Sequence, residues 1–366
     1  MSIEQGLFLL LRLGLGTSKD NDNPYDLLSL SLVDWKAMME LAQRQSVCAI
    51  AIDGVQNVVE QYSNIFSEHY GQESWQPLLL EWMSVMLMTE QANACQTIVM
   101  NKMAKSWEQG GCRTMLMKGQ TNGLYYPRPQ HRATGDIDVY LFDGYEKAHE
   151  IAIGVGAEVN VSWYKHSEIT WKNEVIENHR YFVPTRQGKR SKQLDAELRN
   201  EVEGVELDNF PHSCVLVPTA MFNAKFLTFH TFAHFLAEGL RLKQLLDWAM
   251  FVQKEQNNLD WDHFYDFCDR FHYRRFADAA NTFALEYIGV NITNPAICCR
   301  SPYTEKIIMS ALYDDDYVYA TGSGWHNRWH LVKNLWRYRW KYHDIYQLSP
   351  LRQLWYYASG YLFKTE

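Results

Sequence analysis

The sequence predicts an α+β fold, in which a small mixed β-sheet is flanked by helical regions before and after it in the chain. Apolar residues recur at helical spacing in the first part, short strand-like runs separated by turn residues follow, and helical spacing returns at Pro218. We therefore expect a helical N-terminal region (1–110), a sheet-containing core (111–217) and a helical C-terminal region (218–366).

The two helical regions are predicted from apolar residues three and four positions apart. The N-terminal pattern extends from about Leu27 to Glu108 and ends near Gly110. The C-terminal pattern is clearest in "TAMFNAKFLTFHTFAHFLAEGLRLKQLLDWAMFVQKE", which starts at Thr219.

The core is predicted from short runs with strand character, separated by Gly, Pro, Asn and charged turns. Between two of these runs, "GYEKAHEIAIGVG" fits a helix, and "TRQGKRSKQ" (185–193) is predicted to be an exposed loop. The predicted strands are "TMLMK", "DIDVYLF", "AEVNVSWY", "SEITWK", "EVIENHRYFV" and, as a sixth candidate, "LDAELR".

Composition excludes several classes of protein. A formal net charge of -8 argues against nonspecific coating of nucleic acid, which leaves nucleic acid only as a specific acceptor. The seven cysteines show no CxxC spacing, which indicates reduced thiols. The first apolar run is interrupted by Arg12 and lacks a cleavage site, and no run is long enough to cross a bilayer. We expect a cytoplasmic protein.

The clearest candidate site is the segment "DIDVYLF". In a strand, Asp136 and Asp138 point to the same face while Ile137 points to the other. Two carboxylates on one spot are unfavourable unless something positive neutralises them. A hard divalent cation such as Mg²⁺, which takes oxygen ligands and often accompanies nucleotide phosphates, removes the repulsion.

A phosphate site is predicted beside these aspartates. Lys118 and Gly119 follow the apolar run "TMLM" and precede "QTNGLYY", which can be helical. A strand, turn and helix in this order aim backbone N–H groups and the positive end of a helix at an anion. Arg132, four residues before Asp136, can add a bidentate phosphate contact.

These motifs resemble an uncharacterised bacterial nucleotidyltransferase family built on the DNA polymerase beta-type fold. The similarity includes the LKG-type turn, the tyrosine-proline segment, the arginine and the D-I-D strand in "LMKGQTNGLYYPRPQHRATGDIDVYL". It continues in the histidine-rich helix, the "GLRL" element and the Leu-Leu-Asp of "VPTAMFNAKFLTFHTFAHFLAEGLRLKQLLDWAMFV", so that it covers about Thr114 to Val252. The resemblance implies a nucleotidyltransferase core for the predicted sheet.

The resemblance also implies a reaction. A nucleoside monophosphate would pass from a nucleoside triphosphate to an acceptor hydroxyl on a small molecule, a protein or a tRNA, with pyrophosphate leaving. Asp136 and Asp138 would hold Mg²⁺ or Mn²⁺ against the triphosphate, and Gly119 would allow the phosphates close to the backbone. Many members of the wider superfamily have a small residue where this chain has Gln120, although an amide can still donate a hydrogen bond.

This chemistry needs a third carboxylate, which completes the metal site or accepts the proton of the acceptor. Glu177 is the first candidate, because the family shows a carboxylate followed two residues later by a histidine, here His179. Asp195, in a following strand or helix, is the second. The alternative for both is an ordinary surface charge.

Other residues are less specific. His230 and His234 lie one helical turn apart, but no HExxH motif or cysteine accompanies them, which argues against zinc. The resemblance suggests that this helix covers the site, with His234 or Arg241 reaching the nucleotide. Ordinary core or interface hydrogen bonding explains them equally well.

The C-terminal stretch "GWHNRWHLVKNLWRYRWKYHDIY" pairs tryptophans with basic residues along a predicted helix. Its apolar stripe is interpreted as a core-facing surface with a solvated basic back. Base stacking and binding at a membrane surface are the alternatives. The stripe consists of Trp325, Trp329, Val332, Trp336 and Trp340.

Three functional hypotheses follow. The first is an active, metal-dependent nucleotidyltransferase. The second is a nucleotide-binding or regulatory protein that keeps the fold without transfer, which Gln120 favours. The third is an antitoxin-like protein that modifies or masks a partner.

Overall fold

The computed structural model describes residues 1–61, 65–237, 239–314 and 336–349. Within them, helices surround a small mixed β-sheet, which confirms the predicted α+β fold. Helical structure begins before Leu27, where the apolar pattern starts, because the leucine-rich first segment is itself a helix. The helices that precede the sheet are α1 (Ile3–Leu15), α2 (Leu32–Arg44), α3 (Cys48–Gln61), α4 (Ile65–Tyr70) and α5 (Gln72–Gln109).

Helices α1 and α3 pack backbone to backbone. A Cβ atom on Gly54 would lie 2.1 Å from the carbonyl oxygen of Leu10, so a larger residue at this position would push the helices apart. Helix α1 starts with a capping box. The hydroxyl of Ser2 accepts a hydrogen bond from the backbone N–H of Gln5, and the side chain of Gln5 accepts one from the backbone N–H of Ser2. The leucine-rich segment is therefore an integral part of the folded domain.

The sheet has five strands in the order β1-β2-β5-β4-β3. Strands β2 and β5 are parallel, and the other neighbouring pairs are antiparallel. Two helices lie between strands along the chain, the single turn α6 (Gln120–Gly123) and the predicted helix α7 (Tyr145–Gly154). The strands are β1 (Met115–Leu116), β2 (Ile137–Tyr140), β3 (Glu158–Asn160), β4 (His166–Trp171) and β5 (Glu174–His179).

The two faces of the sheet pack against different layers. Ile137, Val139 and Ile176 belong to an apolar cluster with residues of α5 and α7. Tyr140 belongs to a second, larger cluster, which also contains buried residues of both helical regions. The N-terminal and C-terminal helices therefore share one core, and the sheet lies against it.

Two predicted segments have a different structure. The sixth candidate strand "LDAELR" and most of the predicted loop at 185–193 form a short 3₁₀ turn, Thr185–Gln187, and helix α8 (Lys189–Asn200). The reason is the spacing of Leu194 and Leu198, which are four residues apart and both buried. An apolar pair at this spacing stabilises a helix more readily than a strand.

The C-terminal region is helical, as predicted. Among the described helices none combines the length and the apolarity that a membrane span requires. Among the described residues near the end of the chain, Lys341–Ile345 form a π-helical turn. The helices are α9 (Ala220–Ala237), α10 (Leu242–Glu255), α11 (Trp261–Phe271), α12 (Arg274–Glu286) and α13 (Thr304–Tyr313).

Only part of the tryptophan stripe can be placed. Trp340 packs with its ring 5.5 Å from that of Phe235, whereas the Trp336 side chain is exposed. The interpretation of the stripe as a continuous core-facing surface is therefore wrong at Trp336, because a turn interrupts the helix at Tyr338. Trp325, Trp329 and Val332 lie outside the described residues.

A buried ion pair fastens the segment before β2 to α10. Arg132 Nε and Nη2 each donate a hydrogen bond of 2.7 Å to Asp247, one to each carboxylate oxygen. The hydroxyl of Tyr126 donates to Asp247 Oδ1 at 2.8 Å. All three side chains are buried, so the network fixes the segment that leads into the strand carrying Asp138.

We expect Asp247→Ala to lower the free energy of unfolding by about 3–5 kcal/mol, because the substitution leaves the Arg132 guanidinium buried without its carboxylate. Urea unfolding followed by circular dichroism measures this loss. The control is Glu146→Ala, which removes the exposed ion pair with Arg180 and should cost less than about 1 kcal/mol. Equal losses in the two variants would contradict the assignment.

Candidate functional site

Strand pairing brings the predicted carboxylates together. In the parallel pair of β2 and β5, Asp138 stands directly beside Glu177. Paired positions on neighbouring strands point to the same face, so these side chains share the face opposite Ile137 and Ile176. The fold therefore places Glu177, rather than a residue of α8, next to the D-I-D segment.

Asp138 is a buried carboxylate with two positively charged or polar neighbours. The Nζ of Lys118 lies 3.2 Å from its Oδ2, and Nε2 of His179 lies 3.0 Å from its Oδ1. Burial alone would raise the pKa of Asp138, but the Lys118 charge and the hydrogen bond with His179 lower it well below its usual range. Asp138 is therefore ionised at neutral pH.

Asp136 differs from Asp138 in its surroundings. It immediately precedes the strand, which begins at Ile137, and its side chain is more exposed. Burial and the charges of Glu177 and Asp138 raise its pKa, while the Lys118 charge lowers it. The charges of Glu177 and Asp138 therefore act on Asp136, and the assignment of the two aspartates to one metal site stays a prediction.

Two histidines extend this carboxylate site. His166 on β4 pairs in register with His179 on β5. The Oε2 of Glu177 lies 3.2 Å from His166 Nδ1 and 3.2 Å from His179 Nε2. Burial and the neighbouring His179 lower the pKa of His166 to about 4, so its imidazole is neutral at neutral pH. The sequence pointed to His179 but not to His166.

The residues present fit a divalent cation. Among the described residues, no donor is aligned for a hydrogen bond with Asp138 Oδ2, although the Lys118 ammonium is close, and this oxygen is buried. A buried carboxylate oxygen with an unused lone pair is suited to a cation ligand. Glu177, which pairs with Asp138 across the two strands, and Asp136, two residues before it, offer the carboxylate oxygens that Mg²⁺ and Mn²⁺ prefer.

The turn at Gly119 passes close to Asp136. Gly119 has φ of 82°, and a Cβ there would lie 3.8 Å from the Asp136 carbonyl oxygen. The positive φ favours glycine. The helix expected after this turn is only α6, whose four residues are too few for the dipole effect that the sequence suggested. The backbone of the turn therefore lies near Asp136.

The side chain of Gln120 contacts helix α5. Its side chain is buried, and its Nε2 donates to Gln96 Oε1 of α5 at 3.0 Å. The Nε2 of Gln96 in turn donates to the Gly135 carbonyl oxygen at 2.8 Å. Gln120 therefore supports the segment before Asp136 from α5.

Lys118 is held by the histidines of α9. Its Nζ lies 3.3 Å from Nε2 of His230, which lies 3.2 Å from Nε2 of His234. Burial, together with the Lys118 and His234 charges, lowers the pKa of His230 well below its usual range. A neutral His230 accepts a hydrogen bond from the ammonium, so α9 orients Lys118 toward Asp138. The sequence predicted that this helix covers the site, with His234 or Arg241 reaching the nucleotide, and that contact stays a prediction.

The remaining predicted residues are placed less directly. Nε and Nη2 of Arg132 donate to Asp247, and its Nη1 donates to the Ala133 carbonyl oxygen, while Arg241 is exposed at the start of α10. Asp195 accepts from the backbone N–H groups of Phe182 and Val183 and pairs with Arg199. Asp195 therefore supports the chain after β5 instead of joining Asp138.

Lys243 is a site residue that the sequence did not single out. Its Nζ contacts the carbonyl oxygens of Ala133 and Thr134 at 3.4 and 3.2 Å, just before Asp136. Burial and the Arg132 charge lower its pKa to about 8, against the opposing charge of Asp247. Its position in the "GLRLKQ" element, in the first turn of the helix that carries Asp247, was the available signal.

A large cavity lies elsewhere. It has a volume of about 1560 Å³ and opens between α8, α9 and α11. Phe229, Phe232 and Leu236 line it from a different face of α9 than the one that bears His230. Asp136, Asp138 and Glu177 are not among its lining residues, so the chemistry points to the sheet rather than to this cavity.

Clustered carboxylates on a small mixed sheet, with a lysine-glycine turn beside them, are typical of enzymes that transfer nucleotidyl groups. A family described as uncharacterised nucleotidyltransferase matches residues 31–289, and the chain belongs to this family. This confirms the nucleotidyltransferase family that the sequence motifs predicted. Comparisons with curated proteins and with solved structures gave no significant match.

Proposed function

We propose that this protein is an active, metal-dependent nucleotidyltransferase of the DNA polymerase beta type, which moves a nucleoside monophosphate from a nucleoside triphosphate to an acceptor hydroxyl. The observation that supports this most strongly is the pairing of Asp138 with Glu177 in adjacent parallel strands, with Asp136 beside them. The family membership of the chain supports the class of reaction.

Three carboxylates have distinct roles in this proposal. Asp136, Asp138 and Glu177 hold Mg²⁺ or Mn²⁺, which would neutralise charge on the triphosphate and on the leaving pyrophosphate. Asp138 is ionised and fixed by Lys118 and His179, so it is the firm part of the site. Glu177 is partly accessible and can accept the proton of the acceptor hydroxyl as the new P–O bond forms.

Basic residues complete the phosphate site. Lys118 lies next to Asp138. Lys243 contacts the carbonyl oxygens of Ala133 and Thr134, in the segment that leads to Asp136. Two ammonium groups near the triphosphate stabilise its negative charge as the bond to the leaving group breaks. Arg132 acts indirectly, because its pairing with Asp247 fixes the segment that carries Asp136.

One observation favours the second hypothesis, a nucleotide-binding or regulatory protein without transfer. Gln120 is engaged with Gln96, so its amide is not directed at phosphates as a small residue's backbone would be.

The compartment we propose is the cytoplasm, which is supported by the fact that all seven cysteines are free thiols.

Transfer of label tests the active-enzyme proposal. With nucleoside triphosphates labelled at the α-phosphate, and with small-molecule, protein and tRNA fractions as acceptors, we expect metal-dependent labelling by the native chain. Glu177→Gln should lower the rate by about 100-fold or more, because it removes both a ligand and a proton acceptor. Label from the γ-phosphate should not be transferred.

The matched control is Glu168→Gln. Glu168 stands directly opposite Glu177 on β4, and its side chain is exposed. This variant should keep the native rate within about twofold, since removing an exposed charge changes little. Full activity in Glu177→Gln, or equal loss in both variants, would contradict the assigned role of Glu177.

The pH dependence of nucleotide binding tests Lys243. Burial favours the neutral amine, with a pKa of about 8, whereas a bound triphosphate favours the ammonium. Affinity should therefore be constant below about pH 8 and fall as the pH rises above it, by up to about tenfold per pH unit.

The charges that face Lys243 are those of Arg132, Asp247, Lys118 and Arg241. Lys243→Arg keeps a positive charge at all these pH values, so it should remove the fall in affinity above pH 8. Titration calorimetry from pH 6.5 to 9.5 measures both chains. An identical decline in the native chain and in Lys243→Arg would show that Lys243 does not contact the triphosphate.

A further inference from the structure

We propose that His166, Glu177 and His179 form a second cation position, which takes a first-row transition metal ion in preference to Mg²⁺. This deepens the proposed function and rests on it in part, because Glu177 would be shared with the Asp136 and Asp138 ion. The ligand atoms of His166, Glu177 and His179 all lie within 4.8 Å of one another.

The distances fit one ion between the three side chains. Glu177 Oε2 is 3.2 Å from His166 Nδ1 and 3.2 Å from His179 Nε2. Ligands at about 2.0–2.1 Å from a four-coordinate ion lie roughly 3.3–3.4 Å from one another. The two separations therefore allow an ion to bind with little movement of the side chains.

A second, independent observation comes from His166. Its side chain is only 6% exposed, yet among the described residues its Nδ1 has no hydrogen-bond partner. The atom is 3.2 Å from Glu177 Oε2 but is not aligned to donate to it. A buried nitrogen without a hydrogen bond, close to a carboxylate and a second imidazole, fits a metal ligand.

The backbone and an aromatic ring hold this arrangement. His166 and His179 face each other in the antiparallel register of β4 and β5, with ring centroids 5.0 Å apart. The ring of Trp163 packs edge-on against His166 at 4.5 Å. The imidazoles are therefore fixed before an ion binds, and little conformational entropy is lost on binding.

The ligand types decide which ion is preferred. Imidazole nitrogen is a good ligand for Fe²⁺, Ni²⁺ and Zn²⁺, and for Co²⁺, which lies between Fe²⁺ and Ni²⁺ in affinity, whereas Mg²⁺ prefers oxygen. Asp138 Oδ1, 3.0 Å from His179 Nε2, links this position to the carboxylates that suit Mg²⁺. The Nε2 of His179 contacts Asp138 Oδ1 and Glu177 Oε2, so an ion at this position would take the place of these contacts.

Co²⁺ is the probe, because its visible absorption changes when imidazoles bind it. The full chain, freed of metal with a chelator, is titrated with Co²⁺ in the absence of nucleotide. We expect saturable binding that His166→Gln and His179→Gln each weaken by about tenfold or more, in line with losses seen for supporting residues of metal sites.

His149→Gln is the matched control. His149 lies near the same strands and contacts Ser167, but it is not part of the cluster. It should leave Co²⁺ affinity unchanged within about twofold. Equal Co²⁺ affinity in the native chain and in both cluster variants would overturn the proposal, and would leave the histidines as hydrogen-bonding residues of the carboxylates.

A measurement on the native chain covers the case in which a cluster variant fails to fold. Mg²⁺ at about a hundredfold excess should not displace Co²⁺ from two imidazole ligands, and displacement would overturn the proposal.

Asp136→Asn separates the two proposals. If it keeps the Co²⁺ site while no chain transfers nucleotide, the transferase proposal fails alone. If transfer with Mg²⁺ proceeds without a histidine-dependent Co²⁺ site, only the second position fails.

Discussion

Repulsion among carboxylates is the constraint on which the rest of this structure depends. Asp138 and Glu177 stand side by side on β2 and β5, and Asp136 directly precedes β2. Burial opposes the charges of Asp136 and Asp138, and the nearby Lys118 ammonium favours them. In our proposal a divalent cation supplies the remaining positive charge.

Three helices, α5, α9 and α10, hold the residues around these carboxylates in place. Helix α5 fixes the segment before Asp136 through Gln96, and α10 fixes it through the pairing of Asp247 with Arg132. Helix α9 directs Lys118 toward Asp138 through His230. Because the N-terminal and C-terminal helices share one core with the sheet, the site is supported by residues distant in sequence.

Periodicity predicted the fold class, and the D-I-D spacing predicted the paired aspartates, because both depend on local geometry. Lys243 and Asp247 reach the site through contacts with residues more than a hundred positions away in the chain. His166 reaches it through strand register. One sequence reveals neither kind of contact. Asp195 had the chemistry of a third carboxylate but lies on α8, where it supports the chain after β5. Strand pairing, rather than residue type, favours Glu177.

The most direct test of the central claim is thermal unfolding with each nucleoside triphosphate, with and without Mg²⁺. The native chain is compared with the double variant Asp136→Asn, Asp138→Asn. At a ligand concentration about a hundredfold above Kd, stabilisation of roughly 2.7 kcal/mol should raise the midpoint by a few degrees, in the native chain only and only with Mg²⁺. The absence of a shift with every triphosphate, or an equal shift in the variant, would contradict a metal and triphosphate site at these carboxylates.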